Sequence, residues 1–304
     1  MRQFFGEEVR RTELQANLAP FFDLAERIHS FWLAAEKDLW REQSTLPNYV
    51  RNCSGLIDIQ AIRKFRSVVE ECRRGEARNA AIILRSLFET LLVQTFILTP
   101  RLAIMVAPDP KSPNKFRACA PSAKHRPAKK DWLSREFRAQ LYVTFNVAQA
   151  NKGMRRLSAG RKRLSKEVDK LQQKAGTEVA AQTLKDIGPE WVSIHKESDS
   201  YSGLRVGDLA RLLRKDLSAW QQSPYHFQSK DVHAVNYTPY LNLDGGAITA
   251  RYISTDREVR VVMHEALCIM LTIIFGQQRF VFRNRELLQT LHSFRRSFKA
   301  LRPV

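Results

Sequence analysis

Apolar residues recur along this chain mostly with the spacing of helices. Side chains three or four positions apart predict helices over residues 7–43, 58–73, 76–98, 132–149, 206–213, 256–278 and 284–300. Pro20 marks a break or a first turn in the first of these, and Gly75 separates the second from the third. The stretch 76–98 is strongly apolar, and we expect it to be the most buried helix.

Four segments depart from the helical pattern. Residues 46–55 are predicted to form a turn, and residues 191–203 a polar loop. Residues 107–130 contain five prolines and seven Lys or Arg, which leaves too little apolar surface for an independent fold, so they are predicted to form an exposed basic loop. Residues 240–253 alternate on either side of Asp244-Gly245-Gly246, which predicts one small β-hairpin.

These elements predict an all-α protein, a multi-helix bundle with a projecting basic helical arm and one small hairpin. Residues 1–106 supply the N-terminal helices of the core, and residues 191–304 supply the C-terminal helices that complete the same core. Residues 107–190 hold the basic, proline-rich loop and the helical arm. The arm's leucines, Leu157, Leu164 and Leu171, are seven apart, as in a helix that packs along one narrow seam.

The charge of the chain changes this picture, because 50 Lys and Arg face 31 Asp and Glu, giving a net charge of +19. Such a field attracts RNA, DNA or an acidic protein partner. Residues 151–174 hold nine Lys or Arg against Glu167 and Asp169 alone, whereas an ordinary solvated helix face mixes both signs. The predicted nucleic-acid-binding residues are Arg155, Arg156, Arg161, Lys162, Arg163 and Lys166. Phe116, His125 and Trp132 are interspersed among the basic residues and are candidates to stack on an unpaired base.

Several classes of chemistry find no support. The four cysteines are scattered without a C-x-x-C pair, His264-Glu265 lacks a second histidine four residues after the first, and no glycine-rich phosphate loop occurs. We therefore expect no metal and no cofactor. The N-terminus becomes charged before an apolar stretch of signal length develops, which predicts a cytoplasmic protein. Arg85 and Glu89 inside the apolar stretch 80–98 argue for a core helix and against a membrane span. The basic arm has too few large apolar residues for peripheral membrane association.

Two polar groupings are candidates for catalysis. Arg85 and Glu89 lie one turn apart on a helix predicted to be buried, where two charges are costly unless paired. A structural ion pair and a polar site explain them equally well. Ser229 and His233 are also one helical turn apart, and histidine exchanges protons at neutral pH. A histidine on a helix is more often structural, and neither a nucleophile elbow nor an oxyanion loop accompanies this pair.

The order RSLFETLL, Trp191, GLRVGDLARLL and then Tyr225, Ser229, His233 and Ala234 resembles an uncharacterised bacterial family that is itself distantly similar to the all-helical HEPN superfamily. The resemblance spans roughly residues 60–280. It implies a metal-independent endoribonuclease of phage defence or of a toxin–antitoxin system, in which His233 transfers the proton. HEPN nucleases place an arginine four to six residues from this histidine, where this chain has none, so Arg85 would replace that cation and Glu89 would orient it.

Two functions follow as hypotheses. The first is a nucleic-acid-engaging, HEPN-like ribonuclease with Ser229, His233, Arg85 and Glu89 around an open polar site, in a cleft that a homodimer can complete. The second is a non-catalytic scaffold that binds nucleic acid or protein, with the same residues in a sealed hydrogen-bond network. Access of the site to solvent distinguishes the two.

Overall fold

The fold, taken from a computed structural model, is mostly α-helical, which confirms the predicted class. The structure describes residues 2–39, 46–122, 126–159, 187–198, 200–220, 241–244, 247–250, 254–282 and 284–301. The helices are α1 (Arg2–Asn17), α2 (Ala19–Leu39), α3 (Asn48–Arg73), α4 (Ala77–Leu98), α5 (Arg135–Ala159), α6 (187–197), α7 (Val206–Leu213), α8 (Lys215–Trp220), α9 (Asp256–Gln277) and α10 (Arg285–Ala300). A π-helical turn, Gln278–Phe282, extends α9.

The described strands form three two-stranded antiparallel sheets. They are β1 (Leu102–Ala103) with β4 (Trp132–Leu133), β2 (Met105–Asp109) with β3 (Ser112–Cys119), and β5 (Leu241–Asp244) with β6 (Ala247–Ala250). The last of these confirms the predicted hairpin. The expectation of a single hairpin was wrong, because two further sheets lie in and beside the segment that was predicted to be a loop.

The predicted loop over residues 107–130 folds largely as the β2–β3 hairpin. Its prolines fit because each strand of a two-stranded sheet is an edge strand, where a missing N–H costs least. Asp109 closes the turn by accepting a hydrogen bond from the backbone N–H of Lys111 at 2.9 Å, and the register shifts between Pro108 and Asp109. The proline content was interpreted as the sign of a loop, but in the structure the prolines of this hairpin lie in a turn and in irregular strands.

Residues 46–55, predicted to form a turn, belong to α3 from Asn48 onward. Pro47 stands at the N-cap, which proline tolerates because it has no N–H to lose. Val50, Cys53 and Ile57 are all buried and share one helical face, which stabilises a helix through Gly55. The run of polar and small residues hid this apolar stripe.

Residues 191–203 are largely helical, contrary to the predicted polar loop. Trp191 and Ile194 are buried on one face of α6, three residues apart. The chain then turns at Gly203, whose φ is +67°, and a Cβ there would lie 2.6 Å from Ile194 Cγ2. The turn therefore requires glycine. Similarly, α5 begins at Arg135 and not at residue 132, because Trp132 and Leu133 pair with β1.

The chain divides into two compact units. Unit 1 comprises Met1–Pro47, Ser54–Gln94 and Trp220–Val304, and unit 2 comprises Asn48–Cys53 and Thr95–Ala219. The core of unit 1 includes edge-to-face ring pairs that join α2 to the C-terminal elements, Phe31 with Phe294 and Trp32 with Phe282. The assignment of residues 1–106 and 191–304 to one core, with residues 107–190 as a basic loop and arm, stays a prediction. Residues 160–186 of the predicted arm lie outside the described range.

Two described helices are long and apolar enough to cross a membrane, namely Ala77–Leu98 and the helix with its π extension, Asp256–Phe282. Within the protein, 67% and 56% of their most apolar windows are buried. Core helices of soluble proteins share these properties, so length and composition alone identify no membrane span.

Candidate functional sites

Arg85 and Glu89 form the ion pair that their spacing on α4 predicts. Arg85 Nε lies 3.5 Å from Glu89 Oε1, and the two side chains are 25% and 46% exposed. The expectation that this pair is buried was wrong, because α4 keeps a polar stripe at the surface while its opposite face enters the core. Solvent, and therefore a solute, can reach both charges.

Lys64 of α3 extends this polar surface. Its Nζ donates hydrogen bonds to Thr90 Oγ1 at 2.8 Å and to the Ser86 carbonyl at 3.2 Å. Burial lowers the pKa of Lys64 below its ordinary value, and the carboxylate of Glu89 opposes that shift. We call Lys64, Arg85, Glu89 and Thr90 the open cluster. Lys64 was not among the predicted site residues, since a lysine on an amphipathic helix gives no distinctive signal.

Most of the remaining predicted residues, His125 among them, lie outside the described residues. Ser229 and His233 lie outside the described residues, as do Arg161, Lys162, Arg163 and Lys166. Arg155 and Arg156 lie on α5, near its described C-terminal end. The structure thus brings Arg85 and Glu89 together, and their predicted partnership with His233 stays a prediction.

A second polar group in unit 1 is closed to solvent. Gln277 Nε2 donates to Ser54 Oγ and to Asp58 Oδ1, both at 2.8 Å, and Gln94 Nε2 donates to Asp58 Oδ1 at 3.4 Å. Gln94 Nε2 also reaches the carbonyl of Ile273 at 3.2 Å. All four side chains are buried, and they tie α3, α4 and α9 together. We call Ser54, Asp58, Gln94 and Gln277 the sealed network.

The C-terminal helix α10 presents a cationic surface. Its buried face is Leu287, Leu291 and Phe294, whose spacing of four and three leaves the opposite side to water. That side borders an open cavity of about 520 Å³. The lining residues are Gln289, His292, Arg295, Arg296 and Lys299. The basic edge of this helix is evident in the sequence, but only the structure gathers it around a cavity.

The three cations of this lining, Arg295, Arg296 and Lys299, are exposed. None of them forms an ion pair with a carboxylate in the part of the chain that the structure describes. The His292 ring packs against the ring of Phe275, with 5.5 Å between the ring centroids, and this contact orients the imidazole at the edge of the cavity. We call His292, Arg295, Arg296 and Lys299 the cationic face.

Unit 2 contains a histidine that the sequence did not single out. His195 is 4% exposed, its Nε2 lies 3.0 Å from the carbonyl oxygen of Tyr201, and the rings of Phe145 and Trp191 pack around it. Burial lowers the pKa of His195, and the Tyr201 hydrogen bond opposes this. A neutral ring that donates to a carbonyl and is enclosed by aromatic side chains is a structural group, out of reach of a substrate.

Unit 2 also buries an arginine, Arg138 of α5. Its guanidinium donates to the carbonyls of Phe96 and Thr99, and its Nε donates to the Ser134 carbonyl at 3.2 Å. Burial, and secondarily the charge of Arg135, lowers the pKa of Arg138 to about 9. Arg138 is therefore charged at neutral pH and serves to close the C-terminal end of α4.

The described residues contain no group of three or more His, Cys, Asp or Glu side chains placed to hold a metal ion. Comparison of the chain with known protein families, with curated proteins and with solved structures finds no match. The chemistry of the described surfaces is therefore the basis on which a function can be argued, and the resemblance to the HEPN-like family stays a prediction.

Proposed function

We propose that this protein binds nucleic acid and that the cationic face of α10 is one of its contacts with the phosphate backbone. The observation that carries the proposal is the gathering of Arg295, Arg296 and Lys299 on the open side of one helix without a described carboxylate to neutralise them. Guanidinium groups match phosphate geometry through paired N–H donors, and ammonium groups act as point charges beside them.

The net charge of the chain supports the same partner. At +19, the protein attracts polyanions over about a Debye length, roughly 8 Å at physiological salt. Each phosphate neutralised releases counterions, so the affinity should fall steeply as salt rises. RNA and DNA both have a phosphate backbone, so contacts of the cationic face with phosphate do not distinguish RNA from DNA.

The experiment compares two pairs of neighbouring arginines. Both pairs are exposed and belong to unit 1, but they lie on different helices. The double variant Arg295→Ala/Arg296→Ala is measured against Arg10→Ala/Arg11→Ala on α1, which removes the same charge from another surface. Binding of a labelled duplex and of a labelled single strand is followed by anisotropy at several salt concentrations. We expect the α10 variant to lower the slope of log affinity against log salt by about two and the α1 variant to leave it nearly unchanged.

Equal losses in the two variants would mean that only the overall charge matters, and the cationic face would lose its role. Absence of salt-sensitive binding by the unmodified protein would overturn the proposal itself. Both variants replace exposed side chains, so circular dichroism and thermal unfolding should report an unchanged fold.

A metal-independent ribonuclease is the second candidate, favoured by the access of solvent to Arg85 and Glu89. A pair half open to water can meet a substrate, whereas a sealed pair cannot. The test incubates mixed RNA in EDTA with the protein, with His233→Ala and with Arg85→Gln. Arg74→Gln serves as the control, because Arg74 makes a comparable exposed ion pair with Glu71 at 3.3 Å. Cleavage lost with His233 and Arg85 but kept with Arg74 is the expected result, and salt-sensitive binding without cleavage by any of them would favour the scaffold.

A further inference from the structure

Trp132 is exposed where tryptophan is usually buried. Its side chain is 50% accessible, whereas Trp32 and Trp191 are buried and Trp220 is half-buried. No described aromatic ring or cation packs against its indole. An indole left in water forgoes a burial free energy of a few kcal/mol, so its exposure calls for an explanation other than folding.

The sheet β1–β4 fixes this outward position. Trp132 pairs with Ala103 and Leu133 pairs with Leu102, and both leucines are buried. Because successive side chains of a strand point to opposite faces, Trp132 lies on the face opposite to the buried Leu133, the face that it shares with Ala103. The ring is thus held at the surface by the backbone register.

Cations lie next to Trp132 along the chain and next to its partner strand. Lys129 and Lys130 form the 3₁₀ turn directly before β4, and Arg101 directly precedes β1; all three are exposed. The carboxylate between the lysines and the tryptophan does not neutralise them at the surface, because Asp131 is buried and accepts a hydrogen bond from the Ala128 N–H at 2.6 Å. Glu136 is the one exposed acid in residues 126–136.

We propose that Trp132 is a stacking platform for an unpaired base of a single-stranded nucleic acid, with Lys129 and Lys130 holding the flanking phosphates. The inference rests on the proposed nucleic-acid binding and narrows its ligand. A base inside a duplex is already stacked and paired, while an unpaired base offers its whole face to an aromatic side chain. Both single-stranded RNA and single-stranded DNA present this chemistry.

The test measures anisotropy with labelled oligouridine, labelled oligothymidine and a labelled duplex. We expect Trp132→Ala to weaken binding of the single strands by roughly 5- to 100-fold, the range that loss of one stacked base produces, and to leave duplex binding unchanged. Trp132→Phe should keep most of the affinity, since a phenyl ring still stacks. The double variant Lys129→Ala/Lys130→Ala should reduce the salt slope of strand binding by about one to two. A loss on oligouridine alone would support RNA as the ligand.

Leu56→Ala is the matched control, because Leu56 is also a large exposed apolar side chain and lies on α3. It should alter neither binding nor stability. Strand binding that survives Trp132→Ala, or a loss that strand and duplex share equally, would overturn the stacking role. In either case, salt-sensitive binding that depends on Arg295 and Arg296 would leave the proposed function standing, whereas no binding by the unmodified protein would remove both.

Discussion

The polar groups between α3 and α4 in unit 1 fall into two regions that differ in access to water. In the sealed network, Asp58 accepts hydrogen bonds from the amides of Gln94 and Gln277 inside the core. In the open cluster, half-buried Lys64 donates a hydrogen bond to the buried hydroxyl of Thr90, and the ion pair of Arg85 with Glu89 is partly exposed. Both regions join the same two helices, but only the second can meet a ligand.

This difference separates structural from functional candidates more sharply than residue type does. A buried carboxylate costs several kcal/mol unless its oxygens are satisfied, so the sealed network commits its side chains to one arrangement. In the open cluster, Lys64, Arg85 and Glu89 are partly exposed, so screening by water reduces what their contacts contribute to stability, and a solute can reach them. The predictions below test that contrast, beginning with the largest expected effect.

Removing the centre of the sealed network should be the most damaging change. Asp58→Ala leaves the Nε2 groups of Gln94 and Gln277 without their shared acceptor, and we expect a loss of about 3 kcal/mol in the free energy of unfolding. Asp58→Asn keeps one acceptor oxygen and should lose less. Urea unfolding measures both. A loss below about 1 kcal/mol for the alanine variant would show that the network does not secure these helices.

His195 is a buried polar group of unit 2, and it should make the stability of the protein depend on pH. Burial lowers its pKa, so near the ordinary value of 6.5 the unfolded chain takes up a proton that the folded ring resists. Stability should therefore fall as the pH drops below 6.5, and continue to fall until the lowered pKa of the folded state is reached. His29 and His264, whose pKa values burial also lowers, act in the same direction.

Thermal unfolding at pH 7 and at pH 5 tests this dependence. His195→Phe should be less stable at pH 7, because the hydrogen bond to Tyr201 is lost, and should lose less stability on acidification than the unmodified protein. His292→Ala is the control, since His292 is exposed. An acid sensitivity identical in His195→Phe would assign the effect to other groups.

The sequence predicted the helices well, because apolar spacing survives in a single chain. α1, α2, α4, α7, α9 and α10 lie close to their predicted ranges. It missed α6, although Trp191 and Ile194 already had helical spacing, because polar neighbours outweighed them. The sequence also predicted that Arg85 and Glu89 are buried, because apolar residues surround them. That prediction was wrong, since the periodicity of an almost wholly apolar helix does not reveal which narrow stripe faces water.

The sites were harder to predict than the elements. The sealed network joins Ser54 to Gln277, more than two hundred positions apart, and no local pattern signals that pairing. The outward position of Trp132 depends on the register of two-residue strands in a segment predicted to be a loop and a helix. The polyanionic ligand was predicted from net charge, which needs no knowledge of the fold, and it stays a prediction.

Lys64→Met is a milder test within the open cluster. Methionine keeps most of the apolar stem and removes the ammonium group that donates to Thr90 and to the Ser86 carbonyl. Thr90 is buried, but its hydroxyl also donates to the Ser86 carbonyl at 2.9 Å, so both groups keep a hydrogen bond after the substitution. The lowered pKa of Lys64 shows that its charge is partly desolvated, and removing the ammonium group relieves that cost. We expect a loss of about 1 kcal/mol or less in urea unfolding. A loss of stability as large as that of Asp58→Ala would show that Lys64 is a structural group like the side chains of the sealed network.

The smallest effect on stability is expected for Arg85→Gln, and this makes it the most informative variant for function. An exposed pair four residues apart on a helix is worth about 0.5 kcal/mol or less, so urea unfolding should barely change. Any loss of RNA cleavage or binding in this variant would then reflect contact with the ligand and not a damaged fold. If Arg85→Gln instead destabilises the protein by more than about 1 kcal/mol, Arg85 holds the helices together, and the contrast between sealed and open polar groups fails where it matters most for function.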